Sequence, residues 1–266
     1  MTIPFTKAQA VGNDFLLTWT EDAPTHHLPD VARAICARHT GVGADGWMLI
    51  DATDPALPSI RLFNADGSEP EMSGNGTRCA AALLYRSGKV AGDGVEIRTG
   101  AGVKELRLME WSGLVYTFEM NMAQPRGGES IKTIQTDIGR VEATLLDVGN
   151  PQAAILCAEF PANWRELGAA IEHHPMFPNR TNVSFVRVLD EHAIEVLFYE
   201  RGVGETMSSG TGSTGAAAAA ILRGAAKSPV RVVTAAGDLQ FRWTESAWLT
   251  GPAEIVATGE YLLKTL

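Results

Sequence analysis

The sequence predicts an α+β fold of two pseudo-symmetric domains, each a mostly antiparallel sheet rolled around a central helix. Three observations carry that expectation. Two Gly-rich stretches read as copies of one pattern, Phe63-Asn64-Ala65-Asp66-Gly67-Ser68-Glu69-Pro70-Glu71-Met72-Ser73-Gly74-Asn75-Gly76-Thr77 and Tyr199-Glu200-Arg201-Gly202-Val203-Gly204-Glu205-Thr206-Met207-Ser208-Ser209-Gly210-Thr211-Gly212-Ser213. Each runs from an aromatic residue through an acidic turn and a Met to Ser-Gly-(Asn or Thr)-Gly, then enters an Ala-rich run. Ser73 and Ser209 stand 136 positions apart (209 − 73), and Gly12-Asn13 and Gly149-Asn150 stand 137 apart (149 − 12). Two landmarks at one offset argue for a duplicated chain. Finally, many short strand-like runs surround only one or two helical runs per half.

In the first half, Phe5 to Ala10 alternates into the Gly12-Asn13 turn, and Leu16 to Trp19 reads as a second strand. Leu28 to His39 has helical periodicity through Val31 and Ile35, and ends at Thr40-Gly41. Trp47 to Ile50 and Ile60 to Phe63 are strands about a Pro-rich turn. A helix over Thr77 to Arg86 follows the first Gly-rich turn. Val95 to Thr99, Val103 to Glu110 and Val115 to Met122 complete the half as strands.

The second half repeats that order. Val141 to Val148 and Ala153 to Cys157 are strands about Gly149-Asn150, and Asn163 to Ile171 is a helix. Asn182 to Val188 and Ala193 to Tyr199 are strands that lead to the second turn. The Ala-rich helix follows, then strands at Val230 to Thr234, Leu239 to Trp243 and Ala247 to Leu249. Small side chains let a sheet pack closely round a helix, so the run Ala216 to Ala220 is read as structural. Domains are expected at 1–113, completed by 255–266, and at 114–254.

Composition narrows the class. The 266 residues are 45% hydrophobic with a mean hydropathy of −0.01, as in a soluble globular protein with an ample core. A net charge of −9 argues against nucleic acid or an anionic membrane as partner. No apolar run reaches the roughly 18 residues of a membrane span, and Met1 to Asn13 lacks the layout of a secretory signal. Cys36, Cys79 and Cys157 are scattered without metal-type spacing. They are read as buried free thiols in a reducing compartment, with cytoplasm the expected location. A homodimer is left open.

A Gly-rich turn entering a helix leaves backbone N–H groups unpaired, and the helix dipole adds partial positive charge there. Such a turn suits an anion that must approach the backbone. One turn alone reads equally well as an ordinary Ser-capped helix start. A matched pair favours two cradles for one small molecule.

The pieces Gly12-Asn13-Asp14-Phe15, Gly41-Val42-Gly43-Ala44-Asp45-Gly46, Phe63 to Glu69, Ser73-Gly74-Asn75-Gly76-Thr77-Arg78, Gly149-Asn150-Pro151, Thr181-Asn182-Val183 and Tyr199 to Thr206 occur in one order from the start of the chain to beyond residue 212. In that order they resemble the diaminopimelate epimerase family. The resemblance implies two similar domains that close on substrate, and a reaction without pyridoxal phosphate or metal. It implies inversion of one α-carbon of diaminopimelate, LL to meso, in lysine and peptidoglycan biosynthesis. In that family one cysteine thiolate removes the α-proton while a second thiol supplies one to the other face. The family's two catalytic cysteine positions are Ser73 and Ser209 here. By the same resemblance Asn64, Gly74, Asn75, Gly210 and Thr211 hold the reacting carboxylate and amine. Asn13, Asn150, Asn182, Glu200 and Arg201 read the distal end, the guanidinium gripping a carboxylate and Glu200 an ammonium. Gln152 replaces the usual His after Gly-Asn-Pro, and Gly46 stands where some members carry Gln.

A hydroxyl is about as hard to ionise as water, pKa roughly 15.7, and each unit costs about 1.36 kcal/mol. A helix dipole, worth about 0.3–1 kcal/mol and at best about 2, does not close that gap. A serine therefore needs a neighbouring base. No His adjoins either turn in sequence, and His26, His27, His39, His173, His174 and His192 are read as surface residues. Cys79, six positions past Ser73, faces another side of its helix. Asp66, Glu69, Glu71 and Glu205 are read as solvated turn charges. Three functions remain: an epimerase whose serines work with another base or stand as an inactive replacement of the cysteine pair, a non-catalytic amino-acid-binding relative, and an isomerase using a carboxylate (Glu71, Asp66 or Glu200) as proton carrier.

Overall fold

In the computed structural model, which describes residues 1–263, two helices that are buried on nearly every side organise the chain. The chain divides into two units, Met1–Met120 with the segment from Gly251 onward, and Asn121–Thr250. Residues 264–266, the end of the segment expected to complete the first domain, lie outside the described residues.

In the first unit, β1 (Thr2–Ala10) and β2 (Asn13–Trp19) form an antiparallel hairpin. Its turn, Val11-Gly12, has positive φ at both residues. Helix α1 (Leu28–Cys36) leads to β3 (Gly46–Asp51), which lies parallel to β2 and antiparallel to β4 (Ser59–Asn64). Helix α2 (Gly74–Arg86) leads to β5 (Gly94–Thr99), parallel to β4, and then to the antiparallel strands β6 (Gly102–Ser112) and β7 (Val115–Ala123).

Strand β3 shows why the sheet wraps. It is buried on both faces, as parallel neighbours covered by helices are. Trp47 and Leu49 join Val31, Ala32 and Ile35 of α1 in one core cluster. Met48, pointing the other way by strand alternation, meets α2, where its Cε lies 2.7 Å from the place a Cβ on Gly76 would occupy.

The second unit begins with β8 (Arg126–Thr136), β9 (Gly139–Asp147) and β10 (Pro151–Leu156). Helix α3 (Trp164–Glu172) precedes β11 (Asn182–Asp190), and β12 (Ala193–Glu200) and β13 (Gly204–Thr206) precede α4 (Gly210–Leu222). Strands β14 (Val230–Thr234), β15 (Gly237–Trp243) and β16 (Ala247–Leu262) end the chain. The order of pairings repeats that of the first unit: β10 and β11 are parallel across α3, β11 and β12 antiparallel, β12 and β14 parallel across α4. The start of β16 pairs β15, and its later part, from Glu254, pairs β1. Ile255 N–H also donates to Leu114 O, so the first unit's sheet closes on itself. Each unit is thus a sheet around one helix, as expected. Ala216 to Ala220 are each at most 1% exposed, so the Ala run is packing surface. Among the described residues no helix is long and apolar enough to cross a membrane.

Several expectations are corrected. Helix α2 starts at Gly74 rather than Thr77, because a Ser cap compensates for poor glycine propensity; the same cap lets α4 begin at Gly210. Helix α1 ends at Cys36 rather than His39. Strand β8, unanticipated, is mostly exposed and polar, and β16 runs well past Leu249. Cys157 is half-buried, whereas Cys36 and Cys79 are buried.

Candidate functional site

Each Gly-rich turn delivers a serine to a helix N-terminus in the same geometry. Ser73 is extended (φ −127°, ψ 122°), and Gly76 N–H donates to its Oγ at 3.1 Å. Ser209 is also extended (φ −141°, ψ 126°), and Gly212 N–H donates to its Oγ at 3.0 Å. The serine carbonyls accept from Thr77 N–H at 2.8 Å and Ser213 N–H at 2.9 Å. The cap satisfies one of the first-turn amides and leaves those of the two residues after the serine without intrahelical partners. Those are Gly74 and Asn75 in one turn, Gly210 and Thr211 in the other.

In the first unit the structure brings Asn75 and Asn13 together. Arg78 Nη2 donates to Asn75 Oδ1 at 2.5 Å, Asn75 Nδ2 to Asn13 Oδ1 at 3.4 Å, and Asn13 Nδ2 to Asp45 Oδ2 at 2.7 Å. Beside them Asp14 binds Lys7 and Arg38. Burial pushes the Asp14 carboxyl up, but the two cations outweigh it and hold it below the usual 3.8. Asn64, at the end of β4, donates from Nδ2 to Ser68 Oγ at 2.9 Å and takes no part in that chain. A cavity of about 70 Å³ adjoins Ser73, lined by Leu62, Glu69, Pro70, Met72 and Thr99. It is too small for an amino acid. A wider groove of about 570 Å³, lined by His26, Leu28, Arg61 and Phe63, contains none of the expected site residues.

In the second unit Ser209 Oγ donates to Glu200 Oε1 at 2.5 Å. Burial pushes the Glu200 carboxyl above its usual 4.5, while the hydrogen bond from Ser209 pulls the other way. Glu200, expected with the residues reading the distal end, is thus found on the serine. No Glu200–Arg201 ion pair occurs among the described residues. Arg201 is exposed, with Nη1 donating to Asn179 O at 3.4 Å. Its backbone N–H donates to Asn182 Oδ1, and Asn182 Nδ2 to Pro151 O. Asn150 Nδ2 donates to Thr211 Oγ1 at 3.3 Å, and its Oδ1 accepts from Gln152 Nε2 at 2.6 Å.

Of the turn carboxylates, Glu69 pairs bidentately with Arg61, Glu205 with Arg165, and Asp66 accepts from Ser68. Glu71 is exposed. The histidines are exposed apart from the half-buried His174, and none is bonded to either serine. Burial drives the Cys36 and Cys79 thiols up to about 12. Sequence reasoning did not single out Arg78 or Asp45 as supports of the site. Both stand inside the motif pieces quoted above, which was the available signal.

Two units, each a sheet around a central helix, define a fold that this chain shares with solved racemase and epimerase structures. Solved structures with this architecture include a probable proline racemase from Agrobacterium radiobacter with bound carbonate (TM-score 0.74, 17% identity, 97% of this chain and 92% of that one). Another is a predicted epimerase from Pseudomonas aeruginosa (0.73, 15%, 99% and 100%). At such identities they establish the fold alone. Closer relatives settle the family. The diaminopimelate epimerase family model matches residues 5–124 and 144–261. The diaminopimelate epimerase of Pelotomaculum thermopropionicum is 39% identical over 278 residues, covering 98% of this chain and 99% of that protein, and that of Moorella thermoacetica is 37% identical (97% and 99%). The chain belongs to the diaminopimelate epimerase family.

Proposed function

We propose that the protein is an isomerase that epimerises diaminopimelate at one α-carbon, without pyridoxal phosphate or metal, using Ser73 and Ser209 as its proton-handling groups. The observation that carries this reading is the Ser209–Glu200 hydrogen bond. A serine becomes a base when a neighbour takes its proton, and a carboxylate hydrogen-bonded to the hydroxyl, its pKa raised by burial, is placed for that task. In the direction this contact favours, Ser209 Oγ takes the α-proton as its own proton passes to Glu200, and the C–H electron pair stays on the α-carbon. Ser73 gives its proton to the opposite face of that carbon and is reprotonated from water, while Glu200 returns its proton to water, so that both groups are restored; the Gly76 amide holds the Ser73 oxygen throughout. First-turn amides at Gly74, Asn75, Gly210 and Thr211, with Asn64, hold the carboxylate and amine and stabilise the developing charge. Asn13, Asn150, Asn182 and Arg201 read the distal end.

The test is deuterium uptake into diaminopimelate in heavy water, followed by mass spectrometry and paired with calorimetry of binding. Uptake at one α-carbon supports the reading. Binding by a Ser73→Cys/Ser209→Cys variant without any α-exchange would overturn it and leave a binding protein. The same contact favours a second reading, in which Glu200 carries the proton itself and Ser209 only orients it. Ser209→Ala separates the two: exchange persists in the second and is lost in the first.

A further inference from the structure

Arg78 is a buried charged side chain that the proposed reaction leaves unused. It sits in the second turn of α2 and is 0% exposed. Nη2 donates to Asn75 Oδ1 and Nε to Pro252 O at 3.3 Å, while Nη1 is buried with no hydrogen-bond partner among the described residues. No carboxylate forms an ion pair with it among those residues. A buried, uncompensated cation is destabilising, and an apolar side chain of similar volume commonly fills such a place at least as well. Packing alone does not account for it.

The place of the guanidinium has two consequences. By occupying Asn75 Oδ1 it turns Asn75 Nδ2 toward Asn13 Oδ1, which in turn leaves Asn13 Nδ2 for Asp45. One cation therefore sets the polarity of two carboxamides. It also adds a full positive charge beneath a helix start that already carries the dipole's partial charge. Five residues past Ser209, the matching position on α4 is Thr214, a neutral residue whose Oγ1 donates to Gly210 O at 2.9 Å. The α4 turn has a carboxylate on its serine instead. The duplicated cradles thus differ in charge, a cation behind one and an acid group on the other.

We propose that Arg78 is a positioning residue that makes the α2 turn the cradle for the carboxylate of the ligand, by charging its first turn and fixing the Asn75 and Asn13 amides. The identity of the ligand, an α-amino carboxylate, rests on the epimerase reading; the electrostatic role does not.

The experiment places a reporter thiol at the cradle with Ser73→Cys. The pH dependence of its alkylation by iodoacetamide is followed by peptide mass mapping, so that Cys157 is read separately and the buried Cys36 and Cys79 do not interfere. Adding Arg78→Lys leaves the titration of the reporter thiol within a few tenths of a unit. Adding Arg78→Met raises it by about one unit, a roughly tenfold loss of thiolate at a given pH below the midpoint. Arg78→Gln replaces the Met variant if the latter does not melt cooperatively. An unchanged reporter titration in a folded, charge-removed variant overturns the proposal. In parallel, with Ser73 and Ser209 in place or both changed to Cys, Arg78→Met is expected to raise KM for deuterium uptake about tenfold with a smaller change in kcat. If neither parent exchanges, the epimerase reading fails while the thiol titration still decides the role of Arg78.

Discussion

Ser209 Oγ lies between a donor and an acceptor: Gly212 N–H reaches it at 3.0 Å, and it donates to Glu200 Oε1 at 2.5 Å. Ser73 has the amide half of this arrangement, from Gly76 at 3.1 Å, but no carboxylate hydrogen-bonded to it among the described residues. The two hydroxyls are therefore chemically unequal despite the duplicated frame. Glu200→Gln keeps the shape and removes the proton acceptor. It is expected to slow α-hydrogen exchange by about 10²–10⁴, the usual worth of a positioned acid or base. Exchange rates measured by mass spectrometry check this, and an unaltered rate would remove Glu200 from the reaction.

The same residue links function to stability. Burial raises the Glu200 pKa above 4.5 in the folded chain, so folding favours the protonated form. The stabilisation that protonated Glu200 gives is fully present below 4.5 and is lost as pH rises through the folded value. Glu200→Gln, neutral at every pH, is thus expected to melt a few degrees higher than the parent at pH 8, at about 2–4 °C per kcal/mol for a chain of this size. The gap should close as pH falls below 4.5. Thermal melts at pH 4, 6 and 8 decide it; a gap that widens toward acid would contradict the sign.

Much of this was legible because duplication prints itself twice. The Ser-Gly-(Asn or Thr)-Gly turns, the Ala216 to Ala220 run and the two Gly-Asn turns mark both central helices and both hairpins. The start of α2 lies earlier than the expected Thr77: Gly74 and Gly76 speak against helix, whereas the Ser cap and the close approach of Met48 decide the matter. Strand β8 escaped because its exposed polar residues lack the alternation that burial imposes. Glu200 was picked out, but its contact with Ser209 depends on the β12–β13 turn folding back, which no local pattern reveals. Arg78 looked like part of a motif, and only its burial shows the missing counter-charge.

The paired glycines provide a test of packing. An Ala Cβ at Gly212 would sit 2.7 Å from Phe198 Cδ1 and 2.9 Å from Cε1, against a fully packed ring. At Gly76 the nearest atom, also 2.7 Å away, is Met48 Cε, the free end of a flexible chain. Glycine to alanine within a helix is worth about 0.5–1 kcal/mol of stability when space allows. Gly212→Ala is expected to lose about 1–3 kcal/mol through overpacking, and Gly76→Ala distinctly less. Denaturant unfolding of both variants measures the difference, and equal losses would show that the ring moves as readily as the thioether.

Asp14 ties β2 to Lys7 of β1 at 2.8 Å and to Arg38 beyond α1 at 2.9 Å, and its Oδ1 also accepts from Asp45 N–H at 3.1 Å. Burial raises its pKa, but the two cations more than offset this, so the folded value lies below 3.8. For a depressed carboxyl, the stabilisation is present above the unfolded value and is lost as pH falls through the folded one. Asp14→Asn is therefore expected to cost roughly 1–3 kcal/mol at pH 7, the range for a charge-assisted hydrogen-bonded group only partly open to solvent. The cost should shrink as both proteins are taken below pH 3.8. Because Asp45, which holds Asn13, shares Arg38 with Asp14, the variant should also weaken diaminopimelate binding more than it slows exchange at saturation. Urea unfolding at pH 7 and near pH 3, with calorimetry at pH 7, checks both effects. A penalty that stays constant with pH would mean that Asp14 acts through shape rather than charge.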